Sequence, residues 1–498
     1  MASGTVVSTA TPNAAATAWP WHAAQWTAIP VCSLAAGDRR FEAETYLSSG
    51  YGIRSAMEAR ATGRDSLGAI ARVWQPPRLK GIQVDQEHGT PFLAASQVFE
   101  VRPALRKWLA LERTGEAKHR FVDHGTVLVT CSGNVGRAAL AQSYHLRTLI
   151  THDLLRVQPK ALADRGWIYA YLRAPKARAM MSGARYGHII KHLEVEHLRA
   201  LPVPLVSDAW KAHFQAKAKC ILDLRDQAYA ATLEAEARYA TALGHFTPSD
   251  NGESGFTVRA SETVFATRRL DGTRFSPGVR GTLEHIRRNG RRTSSLQECG
   301  YRVWVPGRYK RVPADDGVVF LDSAELFEVN PDQDKRFVDS GFGDPDGGRV
   351  KRGWLLMASS GQTYGIVGGT VLASSYHEGK ALANHVIRIA PGKDVAVRAG
   401  YLLTALAHPL LGRPVIKSYA FGSSVPEISP DDVKGFPVPR LCPADEDAIA
   451  DLAERSAELR ALADATETAI AAQADELIRA YMAGEQPAEP LAAGTLQA

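Results

Sequence analysis

The sequence is poor in cysteine. Its 498 residues include five cysteines, which are scattered along the chain and never spaced as Cys-x-x-Cys. This pattern excludes a disulfide framework and a structural zinc site, and it fits a reducing cytoplasm, where we expect the protein to be. The cysteines are Cys32, Cys131, Cys220, Cys299 and Cys442.

Long hydrophobic runs are also missing. No apolar stretch approaches the roughly 18–20 residues needed to span a bilayer, so we expect no membrane insertion. The first residues lack the basic start and compact apolar centre of a signal peptide and are predicted to be a flexible tail. What is present is a globular composition, 45% hydrophobic and 22% charged, with a net charge of +6. That charge permits an anionic partner such as nucleic acid without identifying one.

The signatures of common active sites are absent as well. The chain has no Gly-Lys-Ser/Thr phosphate loop, no Asn-Pro-Pro-aromatic motif of an amino-methyltransferase and no glycine-rich dinucleotide fingerprint. The stretch "HIIKHLEVEH" (188–197) is rich in metal-ligand types, but it lacks the HExxH order of a helical zinc site. The acidic "NPDQDK" (330–335) is predicted to be a polar loop. We therefore predict no catalytic residue, no metal site and no bound cofactor in this chain.

The sequence does, however, contain an internal repeat. Segments of the first half return in the same order in the second half, mostly 228–235 residues later. An ordered set of matches at a nearly constant offset predicts a duplication. Each copy is expected to be a mixed α/β unit of roughly 180 residues. The matched segments are "FLAASQVFEV" (92–101) with "FLDSAELFEV" (320–329), "GTVLVTCSG" (125–133) with "GWLLMASSG" (353–361), "WQPPRLK" (74–80) with "WVPGRYK" (304–310), and "LPVPL" (201–205) with "FPVPR" (436–440).

Within each copy, a short apolar run leads into a Ser-Gly turn. "SGNVGRA" in the first copy corresponds to "SGQTYGI" in the second, where the second glycine is shifted by one position, to Gly365. Neither copy has the phosphate-loop lysine, so we predict tight turns in which glycine supplies backbone angles closed to other residues. Strands are expected around 92–101, 125–131, 151–158 and 384–390, and short helices at 166–175 and 400–409.

A long helix is predicted after each copy. Both segments are rich in Ala, Glu, Arg and Leu, and alternating steps of four and three residues meet mostly apolar side chains. We expect the two helices to pair as an antiparallel coiled coil; the alternative is that each packs on its own unit. The residues predicted to pair are Trp210, Phe214, Ile221, Leu224, Ile449, Leu452, Leu459, Ile470 and Leu477.

This order of elements resembles the specificity subunit of type I restriction–modification enzymes. The resemblance is carried by "GTVLVTCSGNVGRA", by "RRFEAETY" and "RRLDGTRF", and by "AFGSSVPEISPDDVKGFPVP" (420–439). It covers about 30–483, with departures at "ARYGHIIKHLEVEHLRALPVP" (184–204) and at "SGQTYG". The implied fold is α/β (α+β) and duplicated, with two target recognition domains alternating with the two helices. The expected segments are a tail (1–22), domain 1 (23–205), helix 1 (206–246), a linker (247–255), domain 2 (256–441), helix 2 (442–484) and a tail (485–498).

The resemblance also implies a function and partners. Each domain would read one half of a split, asymmetric target in double-stranded DNA. The helices would dock two adenine methyltransferase subunits, which would carry S-adenosylmethionine, and a motor-nuclease restriction subunit could join them. The alternative is a duplicated protein- or RNA-binding scaffold, and a stand-alone nuclease is a weaker third class.

Candidate DNA contacts follow from residue type and repetition. Phosphates are bound by Lys and Arg, and base edges are read by Arg, Lys, Asn, Gln, Ser or Thr on protruding segments. The differing segments 52–72 and 276–300 are predicted to be loops that read bases, whereas matched basic residues are predicted to bind phosphate. The candidates are Arg39, Arg40, Arg78, Lys80, Ser132, Asn134, Arg137, Arg268, Arg269, Arg308, Lys310, Ser360, Gln362 and Tyr364.

Overall fold

The structure is a computed structural model with helices and sheets in both halves. It describes residues 29, 31, 43–78, 81–111, 117–184, 192–248, 255–265, 269–307, 312–331, 336–339, 341 and 348–490. We call residues 43–205 the first unit and 256–441 the second unit. The strands of the first unit are β1 (Arg64–Ser66), β2 (Ala71–Trp74), β3 (Gln83–Val84), β4 (Thr90–Leu93), β5 (Lys107–Leu109), β6 (Val127–Thr130), β7 (Ala138–Leu140), β8 (Leu149–Ile150), β9 (Leu154–Pro159) and β10 (Pro202–Pro204). Those of the second unit are β11 (Arg292–Ser294), β12 (Tyr301–Trp304), β13 (Pro313–Ala314), β14 (Val318–Leu321), β15 (Arg336–Val338), β16 (Leu355–Ala358), β17 (Thr370–Leu372), β18 (Ala381–Leu382), β19 (Val386–Pro391) and β20 (Val438–Arg440).

The helices include two that are much longer than the others. These are α8 and α13, and the short helices predicted near 166–175 and 400–409 are α5 and α10. The helices are α1 (Ala43–Leu47), α2 (Ser49–Glu58), α3 (Leu67–Ile70), α4 (Ala95–Val98), α5 (Arg165–Arg173), α6 (Pro175–Ala184), α7 (Val195–Arg199), α8 (Asp208–Leu243), α9 (Pro277–Asn289), α10 (Ala399–Ala407), α11 (Arg413–Ser418), α12 (Pro430–Lys434) and α13 (Pro443–Ala483).

The two units have the same strand order. The first unit contains the sheets β2-β9-β6-β7, β3-β5-β4-β8 and β1-β10, and the second contains β12-β19-β16-β17, β13-β15-β14-β18 and β11-β20. Each strand of the first unit therefore corresponds to the strand ten numbers higher. The directions agree too, because the β4–β8 pair and the β14–β18 pair are both parallel.

One predicted strand, 92–101, is wrong beyond its start. Strand β4 ends at Leu93, and helix α4 follows because the Gln97 side chain accepts a hydrogen bond from the Ala94 backbone N–H at 3.0 Å. The second unit uses the same turn, in which Glu325 accepts from the Asp322 N–H at 2.8 Å. Such a cap satisfies a backbone donor that the strand would otherwise have paired.

The long helices begin and end at capping residues. The Ser207 hydroxyl accepts from the Trp210 N–H at 3.3 Å, and Pro443 occupies the first turn of α13. Gly244 and Gly484 follow the last turns with φ of 77°, a left-handed value that glycine adopts without steric cost.

Helices α8 and α13 run antiparallel and contact each other along their length. Near the middle, the Ser456 hydroxyl donates to the Ala228 carbonyl at 2.7 Å and lies 2.8 Å from the Thr232 hydroxyl. Towards one end, His213 lies 3.0 Å from the Gln473 side chain. One end of the pair packs into the core of the first unit and the other into the core of the second, so each helix packs on its partner and on the units.

The residues that α8 and α13 bury are not all those predicted to pair. Phe214, Ile221, Ile449, Ile470 and Leu477 are buried, as is Leu224, but Trp210, Leu452 and Leu459 are only partly buried. The buried faces continue instead through Ala218, Arg225, Ala453 and Glu467. Hydrophobicity favoured the leucines, whereas the structure buries charged residues that form ion pairs with each other across the two helices.

Two matched glycines bring each unit against a long helix. A Cβ added to Gly166 would lie 2.2 Å from the Phe214 carbonyl carbon, and one added to Gly400 would lie 2.4 Å from the Ala450 carbonyl oxygen. No side chain fits at such distances, so only glycine permits α5 to approach α8 and α10 to approach α13 this closely.

Candidate nucleic-acid interface

The two units meet through matched segments. The Val101 N–H donates to the Phe327 carbonyl, and the Val329 N–H donates to the Phe99 carbonyl, both at 2.7 Å. Phe99 and Val101 correspond to Phe327 and Val329 at an offset of 228 residues. The two hydrogen bonds are equivalent: each segment donates one to the other and accepts the matching one. The units are therefore related by a local two-fold axis, as in an isologous interface.

A buried arginine fixes the same corner in each unit. Arg156 donates to the Thr151 carbonyl and Arg388 to the Ala383 carbonyl, both at 3.0 Å. Both guanidiniums are fully buried, and burial lowers the pKa of Arg156 to about 9. Main-chain carbonyls solvate these charges in place of water, so the corner before β9 and β19 is rigidly held.

The Ser-Gly turns contain glycines with left-handed backbone angles, but Gly365, the second glycine predicted for the second turn, is not one of them. Gly133 and Gly136 have φ of 70° and 84°, and Gly368 has φ of 70°. The counterpart of Gly136 is Gly368 rather than Gly365, because the Gly136 N–H donates to the Thr130 carbonyl and the Gly368 N–H to the Ala358 carbonyl, both at 2.9 Å. The turn of the second unit is therefore four residues longer than that of the first.

In the first turn, two candidates are accessible and one is not. Ser132 is partly exposed, and Asn134 is exposed and accepts from Arg178 at 2.8 Å. Arg137 does not lie where a DNA contact was predicted. It is buried, lies 2.8 Å from Glu328 and stacks over the Phe99 ring at 4.3 Å. It joins the two units and cannot reach DNA.

In the second turn, all three candidates are at the surface. The Ser360 hydroxyl lies 3.1 Å from His385 and 3.3 Å from Glu427, and Gln362 donates to the Ser424 carbonyl at 3.2 Å. Tyr364 is 67% exposed at the tip of the longer turn. A protruding aromatic side chain with no counterpart in the first unit gives this turn a different surface.

The basic candidates divide into three groups. Arg78 is exposed. Arg269 differs from its prediction as a DNA contact, because it forms ion pairs within the protein. It lies 2.6 Å from Asp271 and 3.2 Å from Asp432, and it donates to the Tyr419 carbonyl at 2.9 Å. These contacts join the start of the second unit to α12. The remaining candidates lie outside the described residues: Arg39, Arg40, Lys80, Arg268, Arg308 and Lys310.

The segments predicted to be base-reading loops are largely helical. Residues 52–72 form most of α2, then β1, α3 and the start of β2, whereas 276–300 contain α9 and β11. Five arginines of α9 and the residues after it are exposed, and one of them, Arg288, forms an ion pair with Glu284. The other four form a basic surface in the second unit: Arg280, Arg287, Arg291 and Arg292.

A matched pair that sequence inspection missed lies on β2 and β12. The exposed Arg72 guanidinium stacks over Trp74 at 4.8 Å, and the exposed Arg302 guanidinium stacks over Trp304 at 4.4 Å. The signal was the repeated "RVW" just before the segments that were compared. A cation held on an aromatic face at the surface has the charge and the fixed geometry of a candidate phosphate or base contact.

Metal binding has no visible basis in the stretches that the structure covers. No group of three or more His, Cys, Asp or Glu side chains converges in those stretches. His192, one of the ligand types noted in the sequence, forms an isolated bridge with Ser132, at the place where Glu427 meets Ser360 in the second unit. No helix in the described ranges is long and apolar enough to cross a membrane.

Comparison with known proteins gives structural matches only. No family model and no curated protein sequence matches the chain. The chain is similar to the Type-I restriction-modification system S subunit from M. genitalium, with 11% identity over 86% of this chain and 96% of that one and a TM-score of 0.26. It is also similar to the HsdS subunit from Thermoanaerobacter tengcongensis, with 13% identity over 86% and 98% and a TM-score of 0.25.

A third structural neighbour is the type IIG restriction endonuclease BpuSI, with 11% identity over 35% of this chain and 28% of that one and a TM-score of 0.27. The structural neighbours are thus proteins of restriction systems. Their TM-scores are low, so the similarity assigns no residue role or activity to this chain.

Proposed function

We propose that this chain is the non-catalytic DNA sequence-recognition subunit of a type I restriction–modification complex. The observation that carries the proposal is the local two-fold axis between two units of the same strand order, joined by antiparallel helices α8 and α13. We infer a duplication in which each unit is a target recognition domain, with the boundaries predicted from the sequence, and a coiled coil between the helices. This arrangement suits a protein that reads two separated DNA sites at once.

The differences between the units support an asymmetric target. The buried corner formed by Arg156 is repeated by Arg388, whereas the matched surface turns differ, because the second turn is four residues longer and carries Tyr364. Residues kept in both units serve the fold or contact phosphate, and residues that differ at matched surface positions read different bases. Each unit would therefore recognise its own half of a bipartite sequence.

The helices would hold the half-sites apart and bind the partners. At about 1.5 Å per residue, a helix of the 36 residues of α8 is about 54 Å long. Leu233 and Leu462, which are 40% and 54% exposed, offer apolar contacts on this rod. We propose that two adenine methyltransferase subunits bind here and carry the S-adenosylmethionine, with a motor-nuclease subunit completing a restriction complex.

Selection of binding sites from random double-stranded DNA tests the recognition proposal. We expect a bipartite, asymmetric motif with a fixed spacer, and co-purification with an adenine methyltransferase that methylates the selected site. Equal affinity for every sequence, with no methyltransferase bound, would support the protein- or RNA-binding scaffold instead.

The absence of catalysis is tested with the purified chain alone. Incubated with S-adenosylmethionine and the selected DNA, it should transfer no methyl group, and with Mg²⁺ and ATP it should neither cut DNA nor hydrolyse ATP. Methyl transfer by the isolated chain would refute the proposal.

A further inference from the structure

A cavity of about 100 Å³ lies where both units and both long helices meet. Its walls carry four arginines and two glutamates, so the charge facing the cavity is positive. Such a volume holds about three water molecules, enough for a small polyatomic ion. The charged side chains are Glu100, Arg102 and Arg106 of the first unit, Glu236 of α8, Arg413 of the second unit and Arg460 of α13.

Two of the four arginines are neutralised. Arg102 contacts both carboxylate oxygens of Glu236, at 3.2 and 2.5 Å, and Arg106 lies 3.8 Å from Glu100. Arg460 donates instead to the Thr232 hydroxyl at 2.8 Å.

Arg413, for its part, donates to the Gly365 carbonyl at 3.2 Å. Among the described residues, neither Arg413 nor Arg460 has a carboxylate within ion-pair distance. Two positive charges thus face the cavity without a carboxylate in ion-pair contact, although the charge of Glu100 acts to raise the pKa of Arg413 and that of Asp464 acts to raise the pKa of Arg460.

The local two-fold axis provides an internal comparison for Arg460. Its counterpart, 235 residues earlier, is Arg225, which is buried and bonded to Asp464 and, at 2.9 Å, to Glu467. The positions that correspond to these two carboxylates beside Arg460 are Tyr229 and Thr232. The second arginine therefore lacks the negative charges that accompany the first.

The space around Arg460 also differs from the space around Arg225. Around Arg225, the Tyr169 hydroxyl donates to Glu467 at 2.7 Å, and Arg173 lies 3.9 Å from the same carboxylate. The corresponding residues, 234 positions later, are Leu403 and Ala407, and both line the cavity. The cavity is therefore the space left where smaller residues replace a tyrosine and an arginine.

We propose that this cavity binds a phosphate-sized oxyanion, which gives Arg460 and Arg413 the negative charge that Asp464 and Glu467 give Arg225. Arg460 and Arg413 are both partly buried, and partial withdrawal of a guanidinium from water is costly unless an anion accompanies it. Planar N–H donors match the oxygens of phosphate or sulfate. The bound ion would contact both units and both helices, and would hold the two halves in one relative position. This inference does not depend on the DNA-recognition function.

The titration of nearby groups agrees with an unneutralised cluster. Burial, together with the charges of Arg225 and Arg102, lowers the pKa of Arg460 to about 10, and the Asp464 carboxylate opposes this shift only in part. Burial likewise lowers the pKa of Lys417 to about 8, together with Arg413 and Arg106. An anion in the cavity would raise all of these pKa values.

The test uses the full chain in a phosphate-free buffer at constant ionic strength. Inorganic phosphate is titrated into the protein by calorimetry, and thermal unfolding is recorded over the same concentrations. We expect saturable binding of one ion per chain and a melting temperature that rises with phosphate, whereas chloride has no such effect.

Two variants and one control decide where the ion binds. Thr232→Glu places a carboxylate where Glu467 stands beside Arg225, so it should raise the melting temperature without phosphate and abolish the response to phosphate. Arg460→Gln should weaken phosphate binding roughly tenfold or more, because a charged hydrogen-bond donor is lost. Arg455→Gln, at an exposed position on the same helix, should change neither quantity.

The opposite results would overturn the proposal. An absence of phosphate binding by the unchanged protein, or an undiminished response in Thr232→Glu, means that the cavity is not an oxyanion site. If phosphate has no effect but Thr232→Glu weakens binding to a DNA duplex, the cavity takes a DNA phosphate, and the free-ion proposal fails while the recognition proposal stands.

Discussion

Substitution of Arg225 by methionine is expected to destabilise the crossing of the two long helices. Arg225 lies between Asp464 and Glu467, and the three side chains are 3%, 7% and 5% exposed. Methionine fills a similar volume without charge, so both carboxylates would stay buried with no cation between them. Breaking a buried pair in this way costs about 3–5 kcal/mol, far more than the loss of a surface pair.

The pH dependence of this loss has a defined sign. Burial raises the pKa of Glu467, but Arg225 and Arg173 outweigh it and hold the pKa below its usual value. That contribution to stability is present above the unfolded pKa and disappears as the pH falls through the folded one. Without Arg225, burial dominates and the carboxyl takes up a proton, so the difference between variant and unchanged protein should shrink towards pH 4.

Urea unfolding followed by circular dichroism measures the effect at pH 7.5 and at pH 4.5. The matched control is Arg238→Met on the same helix, where the ion pair with Glu234 is about half exposed and a change within about 0.5 kcal/mol is expected. If Arg225→Met were no more destabilising than Arg238→Met, or if its effect grew on acidification, the reasoning about the buried charges would be refuted.

Three further predictions concern DNA binding, packing and acid stability. Arg72→Ala and Arg302→Ala should each weaken DNA binding on all sequences and reduce the slope of log affinity against log salt by about one; loss confined to one half-site would show base reading instead. Gly166→Ala should lower the melting temperature, because the new methyl group would meet the backbone of α8; an unchanged melting temperature would show that α5 can shift away from α8 without cost. Burial lowers the pKa of His145 and of His377 to about 3. The free energy of unfolding, measured with urea, should therefore be highest above pH 6.5 and should fall by up to about 1.4 kcal/mol per pH unit for each histidine as the pH drops from 6.5 towards 3. His377→Gln should reduce that slope, and an unchanged slope would contradict the assignment.

Some features could be predicted from local sequence because they depend on neighbouring residues. The long helices follow from composition and from capping residues such as Ser207 and Gly484, and the glycine turns follow from the backbone angles that only glycine adopts at low cost. The mixed helix-and-sheet character follows from short apolar runs between turns. None of these requires knowledge of a distant partner.

The candidate interface was harder to predict, because an arginine looks the same in sequence whether it faces solvent or a carboxylate. Arg137 and Arg269 were expected to contact DNA, but Glu328 and Asp432, which neutralise them, are more than 150 residues away in the chain. Arg72 and Arg302 became candidates only when the structure showed each of them stacked on a tryptophan at the surface.

The sequence by itself determined that two similar halves follow one another and that a long helix ends each half, because repetition and periodicity are properties of the order of residues. Only the tertiary structure decided which helix faces are buried, since Arg225 can be buried only with Asp464 and Glu467 beside it. It alone also revealed the cavity at Arg460, because a missing partner becomes visible only when two distant segments are brought together and compared across their two-fold axis.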